Sequence, residues 1–414
     1  MLPRSLSSWI RVTLASSGGA IVYGATAMLL DVAIAHRYGT GTQAAVYQAA
    51  YLVPTALIGV FSSAAILGAF IPIFIRLGGG RQSAEARAFL WTGMWLVTAL
   101  LTLIVGLLVA IAPAVAGLVA SGFESQWREE VAVVIRLVVP MVIFHGIANV
   151  FGAALMARGY GGTVILAPVI IPLTGLATSP WWQDTGGAQV IAVASFTGSV
   201  LFAAALALRL QLAGFRLSPV RSAPSPAWRE FAYAYAGAAL AHAAMAALFL
   251  VAQSNAGGIS ATALVAFSYG TRLILLAMAF ATTIITSLVL PHFSTVTGHL
   301  GREEVWRLAW PLLLAAFVAS GIAALVWAVF ADQIVSLTYV RGQFTSADAV
   351  LVADVQRMFV LQVPFYVVGV ICWRTLNALG QWRPLAWSSV VALGLGILLI
   401  LRLAQTHGVA GIAT

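Results

Sequence analysis

Long apolar stretches, each about as long as a lipid hydrocarbon core is thick, alternate along the chain with short connectors that carry arginine. Eleven such runs lie near residues 12–35, 44–76, 88–111, 131–157, 163–179, 188–212, 228–256, 260–292, 305–330, 350–378 and 384–403. A bilayer core takes roughly 20 apolar residues in helical form, so the pattern predicts transmembrane helices. The stretch from Tyr47 to Phe74 says most: 28 residues with no formal charge, interrupted by Gln48, Pro54, Ser62, Ser63 and Pro72. Proline inside a span frees backbone carbonyls, which neighbouring helices, hydroxyls or cavity water must then satisfy. This span either lines something wet or bends against a partner for packing alone.

The pattern repeats. Gly39 precedes Pro72 by 33 residues, Gly258 precedes Pro291 by 33, and both runs end Pro-x-Phe. Ser121-Gly122-Phe123 maps near Arg341-Gly342-Gln343-Phe344, and Ala157-Arg158-Gly159-Tyr160 maps on Ala378-Leu379-Gly380-Gln381, at displacements near 220 residues. Gly187-Ala188 maps near Gly408-Val409-Ala410. A near-constant offset over most of the chain indicates an internal duplication. The longest polar connector, from Ala213 to Glu230, marks the boundary. The expectation is therefore an all-α polytopic protein with an N-terminal six-helix lobe over 1–220 and a C-terminal lobe over 221–414, related as a tandem parallel repeat around a central cavity. The second lobe holds five spans and the start of a sixth, as if a twelfth span had been cut away or never present; a cut is the favoured reading.

Composition narrows the functional class. With 61% hydrophobic and 8% charged residues the 414-residue chain is far from a soluble domain, where about half the residues are apolar and a quarter charged. The one cysteine, Cys372, excludes an internal disulfide framework and a cysteine-rich metal site. All 21 basic residues are arginine. Without lysine there is no P-loop to hold nucleotide phosphates and no Schiff base, which excludes a self-contained ATP-driven pump and a retinal protein. No cofactor, metal or enzyme chemistry is expected.

Arginine also sets orientation, because basic residues of short loops stay on the cytoplasmic side. With the N-terminus inside, fourteen arginines fall in cytoplasmic segments, six fall outside, and Arg272 lies within a span. The net charge of +9 then sits mainly beside anionic lipid, and no nucleic-acid partner is required.

Arg272 is the outstanding polar group. It lies 12 residues into its span, about 18 Å along a helix, where an arginine costs some 2.5–3.5 kcal/mol even on the lenient insertion scale. It needs an anion. Either it is a cavity cation for an anionic substrate, with Tyr269 beside it and Gln253 and Asn255 on the preceding helix, or it forms a structural pair with Asp31. Asp31, near the outer end of the first span, has a second possible partner in Arg37. Gln48 and Tyr51 add polar groups to the second span, where Pro54 and Pro72, with Pro291 in the repeat, are the expected kinks or hinges. Asn149, Gln362 and Asn377 are read as interhelical hydrogen-bonding groups, and His145 and His242 as packing residues.

Several of these segments resemble one family. Gly39-Thr40-Gly41 followed by AYLVPTALIGVFSSAAILGAFIPIF is similar to the first helical hairpin of the MviN/MurJ lipid II flippases, in the multidrug/oligosaccharidyl-lipid/polysaccharide exporter superfamily. Tyr269-Gly270-Thr271-Arg272-Leu273, Ser287-Leu288-Val289-Leu290-Pro291, Arg341-Gly342-Gln343-Phe344-Thr345 and Asn377-Ala378-Leu379 extend the resemblance in order. It implies two lobes that rock about a cavity in which cationic side chains hold a lipid-linked diphosphate. Arg272 matches one such arginine, and Asp31 the acid of the first helix. Where the family places further arginines this chain has Gly24, Leu30, Ile58 and Gly59, and Ala45 stands for an acid.

The resemblance thus implies a flippase for a polyprenyl-diphosphate-linked glycan, lipid II or a related saccharide, in the bacterial cytoplasmic membrane. Lipid-linked substrate, bilayer and cell-envelope synthesis proteins are the implied partners. The sparse cavity charge leaves open a multidrug or ion-coupled exporter of the same architecture, and a transport-inactive envelope scaffold.

Overall fold

The computed structural model describes residues 6–61, 63–79, 83–184, 186–215, 227–297, 302–378 and 382–413. Among them there are helices and connecting turns, and no strand. The α-helices in order are α1 (Leu6–Tyr38), α2 (Thr42–Val60), α3 (Ser63–Arg76), α4 (Ala84–Ala110), α5 (Ala112–Val119), α6 (Ser125–Val138), α7 (Met141–Ala157), α8 (Gly161–Leu166) and α9 (Ile170–Ala177). The remainder are α10 (Gly187–Leu212), α11 (Ala227–Ile259), α12 (Ala261–Thr297), α13 (Arg302–Val329), α14 (Ala331–Tyr339), α15 (Ser346–Val360), α16 (Val363–Ala378) and α17 (Trp382–Ile412).

Every apolar run of the sequence is helical. Six stretches among the described residues are long and apolar enough to cross a bilayer, and a seventh if α15 and α16, bent by 41°, count as one span. The expected spans near 12–35, 44–76, 228–256 and 384–403 are helical too, without being among those six. Near Gly408 the pattern breaks: its φ of 59° and ψ of −138° interrupt α17.

The second expected span is two helices. Pro54 and Pro72 both lie inside helical turns, and the interruption comes at Phe61. The Phe61 carbonyl freed there accepts a hydrogen bond from Asn149 Nδ2 at 3.3 Å, as the exposed backbone of a broken span requires. Pro291 falls within α12, but its side chain lies outside the described residues. So do Ser62 and most of the Ala213–Glu230 connector, over 216–226.

Packing groups the chain otherwise than by sequence order. One unit comprises Met1–Thr40 with Thr262–Thr414, the other Gly41–Ala261. Against the lobes drawn at 1–220 and 221–414, each unit therefore takes in one opening helix from the other half of the sequence: α1 packs with the second half, α11 with the first. The difference has a plain cause. Lobes were drawn from kinship along the chain, and the units are drawn from contact.

In the unit of residues 41–261, an aromatic and aliphatic core joins α3, α4, α7, α10 and the start of α11. Phe70, Phe74, Phe89 and Phe231 are buried in it, and Phe89 stacks on Trp228 at 4.4 Å. Lipid tails are as apolar as these side chains, so close packing rather than water exclusion holds such helices together. Small residues permit it: a Cβ at Gly198 would lie 2.8 Å from Ile171 Cα, so α10 rides directly against α9. Gln43 is a polar tie in this unit. Its Oε1 accepts from the Ala188 N–H at 3.0 Å and its Nε2 donates to Glu130 at 3.1 Å, linking α2, α6 and the otherwise open first turn of α10.

In the other unit, α12 is central. A Cβ at Gly270 would lie 2.8 Å from Val355 Cγ1 and 3.0 Å from the Val352 carbonyl oxygen, which places α12 flush on α15. Thr282 and Tyr366 share a hydrogen bond of 2.8 Å between α12 and α16. Ala281 and Ile285 pack with Leu313 of α13 and Ile371 of α16.

The outer end of α1 is fastened to the loop between α14 and α15. Gly39 caps α1 in the left-handed region at φ +56°, donating its N–H to Ala35 O at 2.7 Å. Gly342 turns the loop at φ +62°. Each meets the other segment's backbone: a Cβ at 39 would lie 2.6 Å from Gln343 O, and one at 342 would lie 2.2 Å from His36 O. Between them the Gln343 N–H donates to His36 O at 2.9 Å. Thr40 Oγ1 adds a bond of 2.5 Å to Asp348 Oδ1, while Asp348 and Thr345 form a capping box at the start of α15.

Thr345→Ala should therefore cost about 1 kcal/mol, the usual worth of a hydroxyl cap. Asp348→Ala should cost more, because it releases Thr40 as well as the cap. Thermal unfolding of the detergent-purified variants checks the order; equal midpoints would show that the Thr40 bond contributes nothing.

Candidate functional site

Arg272 stands at the start of the fourth turn of α12, about 16 Å from its first residue at 1.5 Å per residue. Asp31 stands on α1, seven residues beyond Gly24. The two helices meet along a seam with a charged and an apolar contact. In the charged one, Arg272 Nε lies 2.7 Å from Asp31 Oδ2, and Nη2 reaches Oδ1 at 3.5 Å. In the apolar one, Leu276, one turn beyond Arg272, fills the hollow at Gly24, where a Cβ would lie 2.2 Å from Leu276 Cδ1.

The pair is lopsided in burial. Asp31's side chain is 7% exposed, whereas 39% of Arg272's side chain remains accessible. Such a carboxylate at membrane depth is stable only with a cation beside it. Arg272, held along its Nε edge, keeps part of its side chain accessible. Of the two alternatives open for Arg272, pairing with Asp31 is realised, and it leaves the arginine within reach of a further anion. Arg37, the other possible partner of Asp31, is exposed beyond the end of the pair's seam.

Tyr269 sits elsewhere than expected. It is fully buried, stacked on Tyr339 at 5.1 Å and tilted against Phe344 at 6.1 Å. It stands one turn before Arg272 on the same broad face of α12, and Tyr339 and Phe344 cover it there. It is a packing residue that fixes α12 against α14 and the Phe344 loop, and it offers no accessible surface to a substrate. Tyr339 in turn donates to Met28 Sδ at 3.7 Å, one turn before Asp31 on α1. Tyr269, Tyr339 and Met28 thus hold the frame in which Arg272 and Asp31 meet.

The other expected site residues belong to the unit of residues 41–261. Gln48 is buried on α2 and its Nε2 has no hydrogen-bond partner. Tyr51 lies against Tyr47 at 5.2 Å. Gln253 is buried on α11, and Asn255 Nδ2 donates to the Val251 carbonyl of its own helix at 2.8 Å. Among the described residues no group of three or more His, Cys, Asp or Glu is placed to hold a metal ion.

Two residues of the seam were not singled out from sequence, Gly24 as a socket and Leu276 as its knob. A signal was present: Gly24 and Asp31 are seven apart and Leu276 and Arg272 four apart, spacings that keep each pair on one helix face.

Breaking the pair should show the asymmetry of a buried charge. Arg272→Gln, which strands Asp31, is expected to cost about 3 kcal/mol, and Asp31→Asn less, because Arg272 can turn to water. The double variant should recover part of the loss, giving a coupling energy above about 1 kcal/mol. Thermal unfolding of the four proteins reads it; strictly additive losses would mean that the contact carries no energy.

Comparison with known proteins identifies this arrangement. The family model of the lipid II flippase MurJ matches residues 34–414. Among solved structures, the inward closed conformation of a lipid II flippase MurJ aligns over 96% of this chain and 83% of its own, with a TM-score of 0.82 at 16% identity. An inward-facing multidrug resistance transporter of the MATE family, in the MOP superfamily, aligns over 95% and 92% with a TM-score of 0.76 at 15% identity. A mutant form of the Vibrio cholerae MATE transporter VcmN aligns over 98% and 91% with a TM-score of 0.68 at 15% identity. Comparison with curated proteins found no match. The identities are low enough that these structures establish the two-lobe transporter fold only, while the family model spans nearly all of the sequence. The chain is a multi-pass membrane protein and belongs to the MurJ lipid II flippase family.

Proposed function

We propose that this chain carries a polyprenyl-diphosphate-linked glycan of the lipid II type across the bacterial cytoplasmic membrane by alternating access, its N-terminus on the cytoplasmic side. The observation that carries the reading, beside family membership, is an arginine within a membrane span whose side chain is 39% accessible although it pairs with a buried carboxylate. An arginine fork matches phosphate oxygens with charge-assisted hydrogen bonds. Transport adds a second demand, that the site be tolerable when empty. Asp31 meets it: the carboxylate neutralises Arg272 between cycles, and an arriving phosphate competes for the same donors. Binding then exchanges one anion for another, so the net affinity stays modest and release remains possible. The buried Asp31 sets the resting position of the fork and touches no substrate.

The lobes at 1–220 and 221–414 are the proposed moving bodies, with Pro54, Pro72 and Pro291 as bending points. Gln48, Tyr51, Gln253 and Asn255 are proposed to supply neutral hydrogen bonds to the glycan side of the substrate. The likeness to multidrug transporters favours, as a second reading, a multidrug or ion-coupled exporter of amphipathic small molecules. Arg272 separates the two, since its fork matches phosphate oxygens and gains little from a neutral solute.

In proteoliposomes, Arg272→Gln should slow flipping of an undecaprenyl-diphosphate glycan about 10- to 100-fold, the worth of one or two hydrogen bonds to a charged group. Arg272→Lys, which keeps charge and loses the fork, should fall between. Undiminished flipping by Arg272→Gln removes the arginine from the mechanism; no flipping by folded wild-type protein, together with export of an amphipathic small molecule, would establish the second reading instead.

A further inference from the structure

The ends of α7 and α10 hold two arginines that play no role in the function proposed above. Both helices stop in the same glycine-capped turn. Gly159 and Gly214 are left-handed at φ +86° and +80°. The residue after each closes the turn, Tyr160 N–H on Leu155 O at 2.9 Å and Phe215 N–H on Leu210 O at 3.1 Å. From each end an arginine crosses to the other. Arg158, the cap residue of α7, donates through Nη2 to Ala213 O at 2.9 Å and lies over the buried Phe215 ring, 5.7 Å from its centroid. Arg209, in the last turn of α10, lies over the Tyr160 ring at 4.1 Å. The crossing gathers two cations in one patch of the unit of residues 41–261.

Among the described residues no carboxylate pairs with either of them. Arg158 Nη1 reaches Gly79 O at 3.5 Å, and its buried Nε has no hydrogen-bond acceptor in the protein. Arg209 has its ring contact and no hydrogen bond among the described residues. Helix C-termini attract cations through their carbonyls, but those carbonyls carry no formal charge, and the patch keeps its two positive charges. Arg76, three residues before Gly79, is by contrast neutralised by Glu230. Unused guanidinium N–H groups match phosphate oxygens with charge-assisted bonds. The remainder of the ligand is indicated by α10. Leu208 precedes Arg209, Leu212 follows it by three positions and Leu201 lies two turns earlier; all three are exposed, and their spacing puts them on one side of the helix. A phospholipid supplies both the phosphate and the apolar chain. In the proposed orientation this end of the unit lies at the cytoplasmic leaflet, whose surface is anionic. We propose that Arg158 and Arg209 bind the headgroup phosphate of an anionic phospholipid of that leaflet, with an acyl chain along Leu208 and Leu201. The lipid is a resident ligand of this unit, and its binding does not depend on whether the chain flips a substrate.

Native mass spectrometry of the protein released from nanodiscs of phosphatidylglycerol and phosphatidylcholine, equal in chain length, reads the site. Wild type should retain one phosphatidylglycerol per chain in preference to phosphatidylcholine. Arg209→Gln should weaken its retention about tenfold, the worth of one hydrogen bond to a charged group. This variant removes no hydrogen bond from the fold, whereas Arg158→Gln also frees the carbonyl of Ala213. Arg76→Gln takes away the same formal charge three residues before Gly79 and should stay within twofold of wild type. In detergent, phosphatidylglycerol should raise the unfolding midpoint of wild type, and inorganic phosphate at the same concentration should not. Equal losses in Arg76→Gln and Arg209→Gln would reduce the effect to bulk charge and overturn the proposal. Wild-type retention by Arg209→Gln, equal retention of phosphatidylcholine, or equal stabilisation by inorganic phosphate would overturn it too.

Discussion

A carboxylate and a guanidinium buried side by side in a membrane protein constrain everything near them. Asp31 at 7% exposure and Arg272 with Nε at 2.7 Å require each other, since either alone would be an unpaired charge at membrane depth. That requirement fixes α1 against α12 even though α1 opens the sequence and α12 comes after its midpoint. Leu276 in the hollow of Gly24 sets the spacing of the same seam, and the stack of Tyr269, Tyr339 and Phe344 packs α12 beside it. The ion pair is therefore a structural joint, and the unequal burial of its two partners leaves part of the Arg272 side chain accessible.

A second constraint comes from the absence of a hydrophobic drive between helices in lipid. Helices then adhere where backbones can come near one another, and this chain supplies glycine at those places: Gly198 of α10 against α9, Gly270 of α12 against α15, and Gly39 and Gly342 where the end of α1 meets the loop before α15. Strength at these points comes from fit, and fit is reversible. A fold assembled this way can be firm within each unit and still give at a few backbone contacts, which is what a carrier needs.

Much of this was legible in the sequence. The helical runs follow from hydropathy, the family from the resemblance of motifs in order along the chain, and the demand of Arg272 for an anion from the rarity of charge in a span. What pattern alone left open was partnership. Asp31 had two arginines within plausible reach, and only tertiary packing decides for Arg272, 241 positions away, over Arg37, six away. Tyr269 looked accessible because it neighbours Arg272 in sequence and shares its helix face, whereas Tyr339 and Phe344, brought over it by tertiary packing, bury it. The break of the second span also escaped a reading by proline: it falls at Phe61, where Asn149 receives the freed carbonyl, and not at Pro54 or Pro72. The grouping of α1 with the second half and α11 with the first is invisible to any boundary drawn from connector composition, because it depends on contacts across the duplication.

The central claim is that the accessible face of Arg272 receives a phosphate from a lipid-linked sugar. Native mass spectrometry of the protein with an undecaprenyl-diphosphate glycan tests it most directly, comparing wild type with Arg272→Gln at equal folded fraction. The account predicts a one-to-one adduct on wild type that falls at least tenfold on the variant, with a lipid of the same chain length lacking phosphate bound equally weakly by both. Equal adducts on the two proteins would contradict it.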